Sequence, residues 1–335
     1  MTFPDNFKTL TLLSGVTYGY VHVAASPYKS TILFLHGFPS SSYGWRHQVS
    51  HFASAGYGVL APDLLGYGAT DQPQSAQEYT ARKMASEIVE ILDHETIRGP
   101  IHGVGHDWGS FLLSRLANYH RERFQSYSFL DVAYMVPGVE FDVDAFEESA
   151  KAQFGYVQFG FWKFLIEDDA AALIGQHQVN EHVLGHQFDS FHSLLYAADA
   201  AMWKDHLGPK DALRAWLTTN QIGPLADYIT QEGKIRHREI FQDNYGPATN
   251  WYRAFMANLN QKDEKETVVD PHLRHPVVLI TASRDPVAIP AMMESWTRPF
   301  AKDLRIHSVD AGHWVQIETK NEVNRILQDF FSEVE

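Results

Sequence analysis

Cysteine is absent from all 335 residues. That excludes disulfides, thiolate zinc sites and a cysteine nucleophile. Basic residues are few: 27 Lys and Arg stand against 41 Asp and Glu, a formal net charge of −14. Such a chain repels a phosphate backbone, which argues against nucleic acid as a partner. No run of about 18 or more apolar residues occurs, so no membrane-spanning helix is expected. The opening stretch MTFPDNFKTL lacks a charged segment followed by an apolar one, so no secretory leader is expected and a cytoplasmic setting is. Repeats and low-complexity segments are lacking too. What remains is bulk: 44% of the residues are hydrophobic, enough core for one large domain with an insertion or for two domains.

Short apolar runs alternate with helical patterns early in the chain. The runs are Thr31–Leu35, Tyr57–Ala61, Pro100–Val104 and Tyr127–Asp131. Between them, Tyr79–His94 carries Met84, Ile88, Ile91 and Leu92 at helical spacing. This alternation predicts βαβ units and a parallel sheet. After Pro137-Gly138 the texture becomes aromatic and helical, without clear strands, until about residue 255. Strand texture returns at Pro276–Thr281 and Leu304–Val309, and Glu322–Phe331 reads as a final helix. The pattern predicts an α/β fold: a mostly parallel sheet flanked by helices, with a helical cap inserted after the strand ending near Asp131. The expected division is core at 1–137, cap at 138–255 and core again at 256–335. An insert at the carboxyl edge of such a sheet covers the usual ligand site.

The stretch Gly105-His106-Asp107-Trp108-Gly109 follows the third of these runs. Its frame matches the strand–turn–helix elbow that holds the nucleophile of α/β-hydrolases, except that aspartate replaces the usual serine. The tight turn would expose Asp107 beside a helix N-terminus, which favours negative charge. A phosphate cradle is the rival reading, but Gly103, Gly105 and Gly109 do not have dinucleotide spacing. A plain helix cap is the other.

An elbow predicts partners in chain order: nucleophile, acid, histidine. His313 follows the last strand run and Asp285 the one before it. Asp131, at the end of the strand after the elbow, competes with Asp285 for the acid position. Leu35-His36-Gly37-Phe38-Pro39 ends an apolar strand, and the N–H groups of Phe38 and Trp108 would form an oxyanion hole. An aspartate is already ionised near neutral pH. It gains little by attacking an ester or amide, but can displace a leaving group from saturated carbon and form an alkyl ester. His313, oriented by the acid, would activate water against that ester. The chemistry is therefore hydrolysis at saturated carbon, of an epoxide or a carbon–halogen bond.

The segments HGFP, GHDWG, PDLLGYG (Pro62–Gly68) and those around Asp285 and His313 together resemble the α/β-hydrolase-fold epoxide hydrolases. The resemblance implies two cap tyrosines that donate to the epoxide oxygen: Tyr156, in Phe154–Gln158, and Tyr252, in Asn250–Arg253. It implies His36, Pro39 and Trp314 as supports of the substrate pocket, a small apolar epoxide and water as reactants, and no cofactor or metal. Haloalkane and haloacetate dehalogenases share the aspartate and are the alternative enzymes. A hydrolase scaffold that binds a ligand without turnover is a third reading, which the intact Asp107, Asp285 and His313 argue against.

Some features fit no site. His182 and His186 have helical spacing but Val183 where a zinc protease needs glutamate, so they read as surface or packing residues. Phe154, Phe159, Phe161, Trp162, Phe164, Phe191 and Trp203 read mostly as cap core, with a minority lining an apolar pocket. Lys262–Glu266 reads as a solvated loop.

Overall fold

The computed structural model describes residues 6–176, 190–242, 244–267 and 269–335. His182 and His186 lie outside the described residues. Eight strands form one sheet: β1 (Phe7–Thr11), β2 (Thr17–Val23), β3 (Thr31–Leu35), β4 (Gly58–Pro62), β5 (Ile101–His106), β6 (Phe124–Leu130), β7 (Val277–Ala282) and β8 (Leu304–Val309). Their order across the sheet is β1-β2-β4-β3-β5-β6-β7-β8. From β4 to β8 every neighbouring pair is parallel, while β1 and β2 form an antiparallel edge. That edge hairpin is not among the strands the sequence pattern predicts. β1 carries no buried residue, so its apolar signal is weak.

The parallel strands are buried on both faces, and alternate residues serve the two sides. On β3, Ile32 and Phe34 pack with Trp45, Phe52 and Phe331, towards helices α1 (Arg46–Ser54) and Lys320–Val334. Leu33 and Leu35 pack in the cluster of Ile88 and Leu112, towards α2 (Ala81–His94) and α3 (Trp108–Tyr119). Fully burying such a side chain stabilises by about 1.5–3 kcal/mol. β6 begins earlier than its apolar run suggests, at Phe124.

Between β6 and β7 the chain is helical, from Val143–Phe154 through Gly246–Met256 among the described residues. These helices lie over the carboxyl ends of the parallel strands and roof the cavity described below. Lys262–Glu266 departs from expectation: it lies in the helix Gln261–Glu266, and Glu264 is buried against Arg115 of α3. A buried cation needs a partner, and this carboxylate supplies it. Among the described residues, no helix is long and apolar enough to cross a membrane.

Candidate active site

The turn from β5 to α3 holds Asp107 at φ 53°, ψ −124°, a strained backbone for a residue with a side chain. Crowding explains the glycines on either side. A Cβ on Gly109 would sit 2.0 Å from the Leu35 carbonyl oxygen, and one on Gly105 would sit 2.6 Å from the Gly109 carbonyl oxygen. The loop after β3 comes as close from the other side: a Cβ on Gly37 would lie 2.1 Å from Asp107 Oδ1. That approach lets the Phe38 N–H donate to Asp107 Oδ1 at 2.6 Å. The Trp108 N–H also donates to the carboxylate. Oδ2 is turned towards His313, whose Nε2 lies 3.9 Å away. Burial raises the Asp107 pKa, with the His313 charge and the two N–H groups pulling against it.

His313 follows β8, Asp285 follows β7 and Asp131 follows β6. The structure brings both acids to one nitrogen. Asp285 Oδ2 accepts from His313 Nδ1 at 2.8 Å. Asp131 Oδ2 lies 2.7 Å from the same Nδ1, out of hydrogen-bond alignment. Both carboxyl side chains are fully buried. Burial alone would lower the His313 pKa, but the two acids outweigh it and raise it well above the ordinary value. Burial and then the Asp285 charge push Asp131 well up. Asp285 stays low, because its hydrogen bonds and the His313 charge outweigh burial.

A cavity of about 640 Å³ opens over Asp107. Tyr252, Trp108, Phe38 and Trp314 form its inner wall, with His313 beside them. Tyr252 lies edge-on to the Trp108 ring at 4.9 Å and to the Phe38 ring at 5.3 Å. Burial and then the Asp107 charge hold its phenol protonated, with a pKa well above the ordinary value. Trp108 Nε1 is buried in the same wall and faces the Tyr252 hydroxyl, out of full hydrogen-bond alignment. The cap aromatics belong to the core, as expected: Phe159, Trp162, Phe164, Phe191 and Trp203 are buried in one cluster, with Phe154 and Phe161 packed against it. All but Phe154 and Phe164 also present a face to the cavity, more than the expected minority. The outer rim holds the residues Val139, Glu140, Asp142 and Ser295.

Tyr156 is elsewhere. Its hydroxyl donates to the Pro286 carbonyl at 2.7 Å, Lys204 sits over its ring, and it does not line the cavity. The expected pair of tyrosines above Asp107 is therefore Tyr252 alone in this structure. The left-handed turn at Gly155 (φ 86°) takes the chain away at the end of its helix. His36 and Pro39 are also not pocket wall. His36 is buried, and burial brings its pKa down to about 4. Its Nε2 accepts from the Leu64 N–H at 2.9 Å, so Nδ1 carries the hydrogen and donates to the Gly37 carbonyl at 2.9 Å. Pro39 offers its carbonyl to the Tyr196 hydroxyl at 3.3 Å. Both hold the loop that presents Phe38.

Sequence reasoning sets Asp131 and Asp285 as rivals and does not foresee that both reach His313. The Trp108 indole it reads only through the likeness to haloalkane dehalogenases, in which the tryptophan of the same HDWG segment cradles halide. His106, Asp131 and His313 have ligand atoms within 4.8 Å of one another. His106 Nε2 meets the His313 carbonyl at 2.8 Å and its Nδ1 meets Gln316 at 3.3 Å. Both ring nitrogens are engaged, so this cluster is the underside of the triad rather than a metal centre.

Comparison with known proteins places this geometry. Epoxide hydrolase srdG of Neurospora crassa is 28% identical over 96% of this chain and 93% of its own length. Epoxide hydrolase A of Mycobacterium tuberculosis is 26% identical over 93% of each chain. Bifunctional epoxide hydrolase 2 of Rattus norvegicus is 28% identical over 95% of this chain, which spans 54% of the rat protein. Among solved structures, Epoxide Hydrolase A from Mycobacterium thermoresistibile superposes with a TM-score of 0.74 at 24% identity, over 97% of each chain. At that identity the likeness speaks for the fold. The family described as alpha/beta hydrolase fold matches residues 30–320, from the strand before the Phe38 loop to the helix after His313. On that match, and on a sheet that carries Asp107, Asp285 and His313 in that order after β5, β7 and β8, this protein belongs to the alpha/beta hydrolase fold family.

Proposed function

We propose that this protein is an epoxide hydrolase that opens a small apolar epoxide to a vicinal diol through an ester on Asp107. The observation that carries the reading is the division of labour between the two carboxylate oxygens. Oδ1 is held by the Phe38 N–H, the Trp108 N–H also meets the carboxylate, and Oδ2 faces His313 and is left to attack. Attack on an epoxide carbon opens the ring and makes an alkoxide. Tyr252, protonated in the cavity wall, donates to it. The Asp107 charge disappears as the ester forms, which removes one anion that favours a proton on His313. His313 then takes a proton from water, and that water attacks the ester carbon. The charge that develops falls on Oδ1, where the Phe38 N–H already points, with the Trp108 N–H at the same carboxyl. Collapse expels the diol as its alkoxide, which takes the proton of the new carboxyl and leaves Asp107 ionised. The proton gained by His313 restores the Tyr252 phenol. Sequence relatives named as epoxide hydrolases over most of the chain support this reading.

One observation favours a second reading, dehalogenation at the same carboxylate: Trp108 Nε1, in the cavity wall beside Asp107 and held by no aligned hydrogen bond, offers a donor to a departing halide. A halide needs no proton, so Tyr252 would then be idle. One turnover in oxygen-18 water with enzyme in excess tests the ester. The diol should carry mostly unlabelled oxygen, because its new oxygen comes from Asp107. Mainly labelled diol in that turnover would mean direct attack by water and would sink the mechanism.

A further inference from the structure

His313 Nδ1 carries one hydrogen, and two carboxyl groups face it at 2.7 Å and 2.8 Å. Two anions this close in a dry site do not both stay ionised, because each strongly raises the proton affinity of the other. The surroundings decide which keeps the proton. Asp285 is well supplied with donors: the Val287 N–H reaches Oδ1 at 2.6 Å and the imidazole reaches Oδ2. Among the described residues, neither oxygen of Asp131 has an aligned donor. A buried carboxylate without donors is costly, whereas a neutral carboxyl can itself donate. The strained backbone at Asp131, φ 62°, aims that group at the Asp285–His313 pair.

We propose that Asp131 is a neutral second carboxyl of the triad, which shares one proton with Asp285 so that the pair presents a single negative charge to His313. Asp131 is a positioning residue: it donates to Asp285 and keeps that carboxylate on Nδ1. The kinetic part of the inference rests on the ester reading above. The titratable groups around the pair agree with one charge. His106, its ring 4.7 Å from that of His313, is kept neutral by burial. Asp107 lies beyond the far side of the imidazole, and the Tyr156 hydroxyl is spent on the Pro286 carbonyl. Among these groups His313 is the one that can carry positive charge. Loss of Asp285 would remove the repulsion that holds the proton on Asp131, which could then ionise and orient His313 itself.

The test is the hydrolysis rate of the alkyl-enzyme, loaded with a styrene oxide and followed by intact mass, in D131N, D285N and the double variant. An amide still donates, so D131N should slow hydrolysis only about threefold, and D131L clearly more. D285N should cost about a hundredfold, short of the roughly ten-thousandfold loss of a sole orienting aspartate, because Asp131 takes over. The double variant should show the full loss of about ten-thousandfold, well beyond the product of the two singles. If D131N has the same small effect in both backgrounds, Asp131 is a bystander and the proposal is wrong. If D131N alone causes the full loss, Asp131 is the ionised acid and the proposal is equally wrong. Normal loading of Asp107 shows that a variant is folded; failure of the wild type to load would instead defeat the ester reading. A measurement that needs no turnover then decides on the pair. The infrared difference between wild type and D131N at pH 7 should contain the carbonyl stretch of a protonated carboxylic acid, and absence of that band overturns the proposal.

Discussion

Tyr252 and Tyr156 carry the same hydroxyl and differ in what it faces. Tyr252 stands in the cavity wall with Asp107, and Tyr156 is bonded to a backbone carbonyl outside it. A proton donor contributes about a hundred- to ten-thousandfold to such a step. Y252F should therefore slow single-turnover alkylation by a styrene oxide by about a hundredfold or more, while Y156F should stay within about threefold of wild type. Equal slowing by both would mean that Tyr156 leaves Pro286 to meet the substrate. No slowing by Y252F would remove the phenol from the mechanism and favour a leaving group that needs no proton.

The elements around the elbow are tied together by one buried ion pair. Arg115, near the end of α3, meets Glu264 of the helix Gln261–Glu266 with both side chains almost fully buried. Arg115 also donates to the Met135 carbonyl at 2.5 Å, and Glu264 accepts from the Gly138 N–H at 2.6 Å. The pair thus grips the segment that leaves β6 for the cap. Removing one partner leaves the other charge buried and alone, which costs about 3–5 kcal/mol. E264A should lower the unfolding free energy in urea by that amount. A loss under about 1 kcal/mol would show that water reaches Arg115 and that the grip is weak.

At the scale of the molecule, the cap is fastened to the core by polar atoms and shaped by aromatic ones. Trp251 Nε1 donates to the Leu65 carbonyl at 2.9 Å, and Trp314 Nε1 donates to the Leu195 carbonyl at 2.9 Å. The space left between the layers runs from Asp107 to a rim at Val139 and Ser295, with mostly apolar walls. Each methylene buried there is worth about 0.8 kcal/mol, or roughly fourfold. Along a series of terminal epoxyalkanes, kcat/KM should rise about fourfold per added methylene until the chain reaches the rim. A flat series would mean that the alkyl chain stays in water and that the cavity is not the substrate site.

The parallel strands are legible in the sequence because a strand buried on both faces must be apolar throughout, and Thr31–Leu35 or Val277–Ala282 could be little else. Asp107, its glycines and His313 are legible because a tight strand-to-helix turn demands small neighbours at fixed spacing. The β1–β2 hairpin is not: β1 is an exposed edge with little apolar pattern, and the buried stretch of β2 is Tyr18-Gly-Tyr-Val21, short and interrupted by glycine. Lys262–Glu266 looks solvated because composition does not say that Glu264 has a buried cation waiting 149 residues away. The same limit applies to the acid and the tyrosines. Local sequence can offer Asp131, Asp285, Tyr156 and Tyr252 as candidates, because it fixes residue type and the element that carries it. Which hydroxyl faces the cavity, and how many carboxyls meet one imidazole nitrogen, depends on side chains from strands and helices far apart in the chain. Packing settles those distances to within an ångström, and only the tertiary structure decides them.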